Sequence, residues 1–220
     1  MNRAYVWSLV CATMLTLQYA GAVDEETPAK ATFTPLFDGK TLEGWEGNMK
    51  YFRVEDKCIV AGSLQEKIPH NEFLCTTKRF SDFEMSAEVR LKGEGNNAGI
   101  QFRSERVPDD TEVSGYQCDV GAAWDRPVWG ALYDESRRRK MLAEGPADKL
   151  PEWVKVGEWN TLRIKAVGNR IQLFLNDHLT VDYREEDAAI AAAGVIALQI
   201  HSGPPTEAWY RNIVIRDLSK

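Results

Sequence analysis

The sequence contains few residues of the kinds that bind metals or form disulfides. Its 220 residues include four Cys and three His. No Cys pair is spaced as C-x-x-C and no two His lie at a ligand spacing, which argues against a structural zinc site. Three Cys follow the N-terminal segment, and an odd number allows either one disulfide with a free thiol or three buried thiols. These residues are Cys58, Cys75 and Cys118.

Several sequence motifs of enzymes are absent, as is any excess of positive charge. There is no G-x-S-x-G elbow, no phosphate-binding G-x-x-x-x-G-K-[ST] and no dinucleotide-binding G-x-G-x-x-G. The 27 Lys and Arg are outnumbered by 33 Asp and Glu, for a formal net charge of −6. An acidic chain is a poor partner for phosphate backbones, so the composition predicts no nucleic-acid partner.

Long hydrophobic runs are also absent, except at the N-terminus. Arg3 precedes an uncharged, mostly apolar stretch at residues 4–19, and Ala20-Gly21-Ala22 has the small-x-small pattern of a cleavage site. This pattern predicts a signal peptide over residues 1–22, cleaved near Ala22, with a retained N-terminal anchor as the alternative. We expect the mature chain to be secreted or periplasmic, without a stable membrane span. Residues 23–32 are typical of a flexible tether.

What the chain does contain is a period of two from residue 33 onward. In residues 83–91 apolar side chains alternate with Glu, Ser and Arg, as expected of a half-buried strand. Residues 98–102, 116–120 and 162–175 repeat the alternation, and residues 195–200 and 213–215 are almost continuously apolar. Only residues 185–193 have a helical pattern. A dozen short strands separated by turns predict an all-β fold, a two-sheet β-sandwich in a single domain over residues 33–220.

Unusual polar residues lie on several of these strand faces. The pairs Gln101 with Arg103, Gln117 with Asp119, and Gln199 with His201 are each two positions apart and share a face. Amides, guanidinium and carboxylate recognise hydroxyl groups, and aromatic rings stack on the C–H faces of sugars. The nearby aromatic residues are Trp124, Trp129 and Tyr133. The alternative is a polar network on one side of the sandwich.

The segment that follows Trp129 is densely charged. Asp134, Glu135 and Arg137 lie within residues 129–140, and they form either a solvated loop or the wall of a site for proton transfer. Among the carboxylates, Asp119 with Glu135 is the best candidate pair for acid and base chemistry.

Taken in order, many segments resemble the 3-keto-disaccharide hydrolase family, long known as a domain of unknown function. The resemblance covers essentially the whole predicted mature chain. The matching segments are residues 36–45, 52–56, 82–84, 96–103, 115–119, 130–134, 157–160, 198–201 and 210–213.

The resemblance implies a concanavalin A-like jelly roll, in which two curved antiparallel sheets present a concave face to carbohydrate. It also implies an exported bacterial enzyme that cleaves glycosides already oxidised at C3. A 3-keto group acidifies the hydrogen at C2, so a base can remove it, the oxygen at C1 can leave, and water can add back. Such a site needs a base, donors for the enolate oxygen and an acid for the leaving group.

Some site residues follow from the resemblance by position, namely Asn97, Arg103, Tyr133, Asp134, Gln199 and His201, and the other candidates come from the strand faces, the nearby aromatic residues and the charged segment described above. Many members have Gly-Tyr-Glu-x-Gln where this chain has residues 115–119, so the acid has moved two positions along, to Asp119. We therefore expect Asp119, Glu135 and His201 to be catalytic. The expected substrate-binding residues are Asn97, Gln101, Arg103, Gln117, Trp124, Trp129, Tyr133, Asp134, Arg137 and Gln199.

Two other kinds of function stay open at this point. The first is a non-catalytic carbohydrate-binding module on the same fold, which Gln117 in place of Glu favours. The second is a structural module of a cell-surface assembly, in which the Trp residues serve as core or interface. No cofactor is expected. Asp38 and other loop acids could hold Ca²⁺, although no complete oxygen-ligand loop is present.

Overall fold

The computed structural model describes residues 32–219, together with Met1. The predicted signal peptide and tether therefore lie almost wholly outside the described residues. The described chain forms the strands β1 Thr34–Pro35, β2 Trp45–Glu46, β3 Phe52–Glu55, β4 Cys58–Ser63, β5 Glu72–Thr76, β6 Phe83–Gly93, β7 Asn97–Arg106, β8 Val113–Ala123, β9 Arg126–Pro127, β10 Leu132–Glu135, β11 Lys140–Ala143, β12 Asn160–Val167, β13 Arg170–Leu175, β14 His178–Arg184, β15 Val195–Ile200 and β16 Thr206–Asp217, and one short helix, α1 Leu150–Trp153.

The strands form two antiparallel sheets of eight, as the alternating pattern predicts. The first sheet has the order β14-β13-β12-β6-β16-β4-β3, with β1 paired to β16. The second has the order β11-β10-β8-β7-β15-β5-β2, with β9 paired to β8. Each sheet combines pairs of strands that are close in sequence with pairs that are distant, such as β6 with β16 and β7 with β15, so the sheets close through long-range pairing.

Apolar side chains from both sheets fill the space between them. On β6 the alternating residues Phe83, Met85 and Val89 are fully buried, and Ile100 and Leu198 face them from the second sheet. Because successive side chains of a strand point to opposite faces, the polar residues between them on β7, β8 and β15 lie on the outer face of the second sheet. This outer face is where the candidate site forms.

The prediction of a helix at residues 185–193 is wrong. These residues form turns, bends and irregular backbone, and the only helix among the described residues is the single turn α1. Side chains compete with the helix for the backbone N–H groups here: Glu185 accepts a hydrogen bond from the Asp187 N–H, and Asp187 from the Ala189 N–H. Such local side-chain bonds favour turns over helix.

The three cysteines of the described chain are all buried free thiols. The structure thus selects the second of the two states that the cysteine count allows. Cys118 faces the core, whereas Cys75 lies in a small cluster with Phe73, Val113 and Ala197.

Candidate functional site

A cavity of about 340 Å³ lies on the outer face of the second sheet. It brings together all three residues predicted to be catalytic, and four of the ten predicted to bind substrate. The lining residues are Asn71, Asn97, Gln117, Asp119, Ala122, Ala123, Trp124, Tyr133, Glu135 and His201. Among the described residues, none of those that line the cavity is a lysine or an arginine.

Strand register explains why residues so distant in sequence meet. Gln117 on β8 is paired with Tyr133 on β10 and with Gln101 on β7, and Asp119 is paired with Gly99. Paired residues in adjacent strands point to the same face. The outward-facing residues of β7, β8 and β10 therefore form one polar surface. Gln117 and Asp119 share this surface because they are two residues apart on one strand.

Asp119 is the most deeply buried acid of the cavity, with 5% of its surface exposed. Its Oδ1 accepts a 2.7 Å hydrogen bond from the Gln117 side-chain amide. Burial raises the pKa of the Asp119 carboxyl to about 8, against the Gln117 hydrogen bond, which lowers it; the nearby Glu135 charge adds to the rise. Asp119 therefore holds a proton at neutral pH and can donate it.

Glu135 is the second acid facing the cavity. Burial raises its pKa to about 7, and the negative charge of Glu112 adds to that rise. A hydrogen bond from the Gln199 amide, at 3.4 Å from Oε2, acts in the opposite direction. Two carboxyls with different elevated pKa values facing one cavity provide the arrangement that pairs a general acid with a general base.

His201 lines the cavity, and one of its ring nitrogens is held by a hydrogen bond. Its Nδ1 lies 2.7 Å from the backbone carbonyl of Ser202. A carbonyl only accepts, so Nδ1 carries the hydrogen, and in the neutral ring Nε2 is then an acceptor. His201 can take a proton at Nε2 in this orientation.

An aromatic pair stands at the rim. Trp124 is 62% exposed, and its ring centroid lies 5.9 Å from that of Tyr133 at an angle of 51°. Trp124 and Asp125 both have left-handed backbone, with φ of 50° and 58°, and form the two-residue turn between β8 and β9. This turn geometry holds the indole away from the core and exposed at the rim, so the indole can stack on a ligand.

Gln101 and Gln199 support the cavity without lining it. The Gln101 amide donates a 2.7 Å hydrogen bond to Oε1 of Gln117, and Gln199 donates to Glu135. Both are fully buried. They contact the residues that line the cavity, which corrects the prediction that they bind substrate themselves.

Arg103 does not reach the cavity, contrary to prediction. A bulge interrupts the β7–β8 register after Phe102, and Arg103 adopts a left-handed φ of 48°. Its guanidinium donates instead to the backbone carbonyls of Ser81 and Gly168, at 2.8 and 2.7 Å, and to Asp82. A bulge shifts the strand by one residue, and this shift turns Arg103 away from the face it would otherwise share with Gln101.

Asp134 and Arg137 also lie away from the cavity. Tyr133 and Glu135 face the cavity, so Asp134 between them points to the opposite face, where it is fully buried. There it accepts hydrogen bonds from Arg137, at 2.9 Å, and from Arg138. Asp134 and Arg137 were predicted to bind substrate. The structure instead places both of them in a buried ion network.

Trp129 is a core residue. It is 7% exposed and belongs to the main apolar cluster between the sheets. Its predicted stacking on a sugar is thus excluded by burial.

Sequence reasoning missed Asn71. It lies just before β5, where no alternating pattern marks it, and contributes through its position in the loop. Its Oδ1 accepts a hydrogen bond from the Ser202 N–H, and its Nδ2 donates to Glu112, both at 3.0 Å. Asn71 thereby fixes the backbone next to His201.

The possible calcium ligand Asp38 uses its carboxylate within its own turn. Oδ1 accepts hydrogen bonds from the N–H groups of Lys40 and Thr41, each at 2.8 Å, and Oδ2 from the Thr41 hydroxyl at 3.0 Å. Within residues 32–219, no three His, Cys, Asp or Glu side chains are grouped so as to hold a metal ion. Nor does this part of the chain contain a helix with the length and apolarity needed to cross a membrane.

Comparison with known proteins agrees with the fold. The family model of the 3-keto-alpha-glucoside-1,2-lyase-like domain matches residues 32–216. No curated protein sequence matches the chain.

Three solved structures illustrate the shared architecture. A Parabacteroides distasonis protein described provisionally as a glycosyl hydrolase has a TM-score of 0.64 and 21% identity, over 85% of this chain and 100% of that one. The carbohydrate-binding module CBM66 of Bacillus subtilis has a TM-score of 0.58 and 19% identity, over 79% and 96%. The β-glucanase of Bacillus licheniformis has a TM-score of 0.55 and 10% identity, over 86% and 98%. The predicted concanavalin A-like jelly roll is confirmed.

Proposed function

The chain belongs to the 3-keto-alpha-glucoside-1,2-lyase-like domain family, and on that premise we propose that it cleaves glycosides whose sugar carries a keto group at C3. The observation that carries this proposal is the convergence of Asp119, Glu135 and His201 on one cavity. An elimination needs an acid and a base at the same bond. The raised pKa values of Asp119 and Glu135 suit both tasks near neutral pH.

The proposed first step is an elimination across C1 and C2. Glu135, in its ionised form, takes the C2 proton, which the C3 keto group acidifies, and the electron pair of the C2–H bond forms the C2–C3 double bond of an enolate with its negative charge on the C3 oxygen. The enolate then returns to the ketone, and its electron pair forms the C1–C2 double bond. The C1–O bond breaks, and protonated Asp119 gives its proton to the departing oxygen. Water can then add across the double bond, with its hydroxyl on C1 and its proton on C2, to release the free keto sugar.

Neutral donors must stabilise the enolate oxygen in this cavity. Arg103 was expected to do so, but its guanidinium lies elsewhere. Among the residues that line the cavity, Tyr133 carries a hydroxyl donor, and Asn97, Asn71 and Gln117 carry amide donors. Asn97 already donates to the Ala122 carbonyl at 3.0 Å, which orients it and leaves its second N–H available. Hydrogen bonds of this kind stabilise charge as it develops on the oxygen.

The rim supports a sugar ligand. Exposed Trp124 beside Tyr133 provides a stacking surface next to the polar floor formed by Gln117 and Asp119. An apolar ring face and convergent polar groups are what a sugar ring, with its C–H faces and hydroxyl edges, requires.

The direct test is incubation of the purified protein with a 3-keto-disaccharide, followed by chromatography of the products. We expect release of a free monosaccharide by the wild type and none by Asp119→Asn. A family member of known activity, assayed in parallel, controls for the substrate. Absence of product in the presence of an active control would contradict the proposal.

A carbohydrate-binding module is the second candidate function. The observations that favour it are the fold shared with the CBM66 module and the amide Gln117 at the position where many family members have Glu. Calorimetry with the same sugar distinguishes the two. Binding without turnover in the wild type, with an affinity that survives Asp119→Asn, would support the binding module over the enzyme.

We further propose that residues 33–220 form the functional domain and that residues 1–22 direct its export from a bacterial cell. The apolar stretch at residues 4–19 and the Ala20-Gly21-Ala22 pattern support this. N-terminal sequencing of the protein recovered from the periplasm or medium tests it, with a new N-terminus near residue 23 as the expected result. Protein retained in the cytoplasm with Met1 intact would contradict export.

A further inference from the structure

A chain of buried side-chain amides runs behind the cavity and ends on Asp119. Ser104 Oγ lies 3.0 Å from Oε1 of Gln101, Gln101 Nε2 donates to Oε1 of Gln117 at 2.7 Å, and Gln117 Nε2 donates to Oδ1 of Asp119 at 2.7 Å. All four residues are buried. Each amide accepts at its oxygen and donates at its nitrogen, so the bonds run in one direction, toward the carboxyl.

The bulge in β7 builds the start of this chain. In a regular strand Gln101 and Ser104 would point to opposite faces, because they are three residues apart. The register shift between Phe102 and Glu105 adds one residue, which brings Ser104 to the face of Gln101 while Arg103 is turned away. The same irregularity that removes Arg103 from the site thus supplies Ser104.

Two glycines make room for the side chains of these hydrogen-bonded residues. A Cβ on Gly99 would lie 2.5 Å from the Gln117 side-chain Cδ, and a Cβ on Gly115 would lie 2.2 Å from the Ser104 hydroxyl. Neither distance is possible in a folded protein. The missing side chains on β7 and β8 therefore let Gln117 and Ser104 lie flat on the sheet, where their rotamers are restricted.

Asp119 has a second carboxyl oxygen, Oδ2, that takes no part in this series of hydrogen bonds. Oδ1 is engaged by Gln117, whereas Oδ2 accepts no hydrogen bond from the residues of the described chain, and Asp119 lines the cavity. A carbonyl-type oxygen held by an N–H donor is the less basic of the two, so the proton of the acid resides on the other.

We propose that Ser104, Gln101 and Gln117 form a positioning relay that aims an N–H at Oδ1 of Asp119 and thereby assigns the transferable proton to Oδ2. Ser104 and Gln101 do not line the cavity; they act through Gln117. The inference deepens the proposed function and rests on it only for the role of the transferred proton. The relay geometry itself is a property of the free protein.

Other charged and titratable groups also face Asp119, and the test must leave them unchanged. They lie on β10, on β9, just after β11 and just after β15. These groups are Tyr133, Glu135, Arg126, Glu144 and His201. Gln101→Met alters none of them, because it replaces a fully buried amide, which contacts Gln117 on the same face of the sheet, with an apolar side chain of similar size.

The experiment compares wild type with Gln101→Met by ¹³C NMR of the aspartate carboxyls, with Asp119→Asn to assign the signal and no substrate present. Without the Gln101 N–H, Gln117 is free to rotate and its donor leaves Oδ1 for part of the time. The Gln117 hydrogen bond stabilises the ionised carboxylate, and its partial loss makes ionisation less favourable. We therefore expect the pKa of Asp119 to rise by about one unit. Ser104→Ala should raise it by a smaller amount, and it serves as the test if Gln101→Met fails to fold.

Activity gives the second readout. We expect kcat of Gln101→Met to fall about tenfold, a part of the roughly 10²- to 10⁴-fold that a positioned proton donor supplies, with KM nearly unchanged. The alkaline limb of the pH profile should move to higher pH with the Asp119 pKa. Thr76→Val is the matched control: Thr76 is a buried hydroxyl on the same sheet that bonds to the Lys78 carbonyl at 2.7 Å. It should lower Tm and leave both readouts at their wild-type values.

A folded Gln101→Met or Ser104→Ala variant whose Asp119 titrates as in the wild type would overturn the relay. If no 3-keto-glycoside is turned over by the wild type but the NMR shift is found, the proposed function fails and the relay stands. If turnover is present and neither the titration nor the alkaline limb moves, the relay fails and the proposed function stands.

Discussion

Gln117 and Asp119, two residues apart on strand β8, are joined by a 2.7 Å hydrogen bond from the amide nitrogen of the first to Oδ1 of the second. The family resemblance of the sequence implies the opposite order, with the acid at the first position and the amide at the second. Because residues i and i+2 share a strand face, either order places a carboxyl beside an amide on the cavity floor. The exchange moves the acid along the strand by two positions, about 7 Å, and so moves the point at which it meets a ligand.

Asp119→Asn is expected to reduce turnover at least about 100-fold, since the amide cannot give a proton to the leaving oxygen. The fold should persist, because an amide fits the same space and still accepts from Gln117. Initial rates with a 3-keto-glycoside measure the effect. Asp177→Asn, an equivalent change in the turn between β13 and β14, is the control and should retain full activity. A rate for Asp119→Asn within about threefold of the wild type would exclude Asp119 as the acid.

The dependence of kcat/KM on pH should be bell-shaped and narrow. The proposed base Glu135 has a pKa of about 7 and must be ionised, and the proposed acid Asp119 has a pKa of about 8 and must be protonated. Activity should therefore be highest between these values and fall on either side. Steady-state rates from pH 5 to pH 10 test this. Glu135→Gln should lose most activity, and a rate that stays flat over the whole range would contradict both assignments.

Stability should decrease as pH rises toward 8. The pKa of Asp119 is raised from 3.8 to about 8 and that of Glu135 from 4.5 to about 7, so the folded state binds more protons than the unfolded state between these values. Stability is then fully present below the unfolded pKa and is lost as pH rises through the folded one. Thermal unfolding at pH 5 and pH 8.5 measures the loss.

Asp119→Asn should remove the larger part of this pH dependence. We expect its Tm at pH 8.5 to exceed that of the wild type by about 4 °C or more. For a chain of this size, a gain of roughly 1 kcal/mol in unfolding free energy raises Tm by about 2–4 °C. The two proteins should converge as pH falls toward 4. A variant that is less stable than the wild type at pH 8.5 would show that the buried carboxyl is not destabilising when ionised.

The two tryptophans that follow β8 are expected to respond in opposite ways. Trp124 is 62% exposed at the rim and Trp129 is buried in the core. Trp124→Ala should lower sugar affinity about fivefold to tenfold, through lost stacking, with little change in Tm. Trp129→Phe should lower the free energy of unfolding by about 1–2 kcal/mol and leave affinity nearly unchanged. Calorimetry and thermal unfolding of both variants check this, and equal effects on affinity would contradict it.

Much of the fold follows from local alternation. The two-residue period at residues 83–91 predicts a strand with Phe83, Met85 and Val89 inward, and the structure has all three in the core. The same rule places Gln117 and Asp119 on one outer face. Helical pattern was less informative at residues 185–193, because Glu185 and Asp187 bind the backbone that a helix would have used.

The errors in the candidate site have identifiable physical causes. Alternation assumes an unbroken strand, and the bulge after Phe102 breaks it, so Arg103 leaves the face it was assigned to. Asp134 follows the rule, since it lies between two cavity residues and must face the other way. Asn71 enters through a loop, whose course depends on tertiary contacts that no local period records. The sequence is thus a good guide to regular strands and a poor one to bulges and loops.

The ion network around Asp134 is expected to stabilise the fold without contributing to the cavity. Asp134 is fully buried and accepts from Arg137 and Arg138, and Arg138 also donates to Glu185, at 2.6 Å. Removing the carboxylate leaves the Arg137 guanidinium without its acid partner and Arg138 with Glu185 alone, so Asp134→Ala should cost about 3–5 kcal/mol of unfolding free energy. Denaturant unfolding measures this cost.

Sugar affinity and turnover per folded molecule should be unchanged in Asp134→Ala, because the side chain lies on the opposite face from Tyr133 and Glu135. Asp125→Asn, in the exposed turn beside Trp124, is the stability control: Asn tolerates the left-handed backbone of this position as Asp does, so unfolding should change by less than about 1 kcal/mol. A loss of affinity in Asp134→Ala at a temperature where the variant is fully folded would place the network in ligand binding after all. Equal stability of Asp134→Ala and the wild type would show instead that the buried carboxylate does no more than offset its own desolvation.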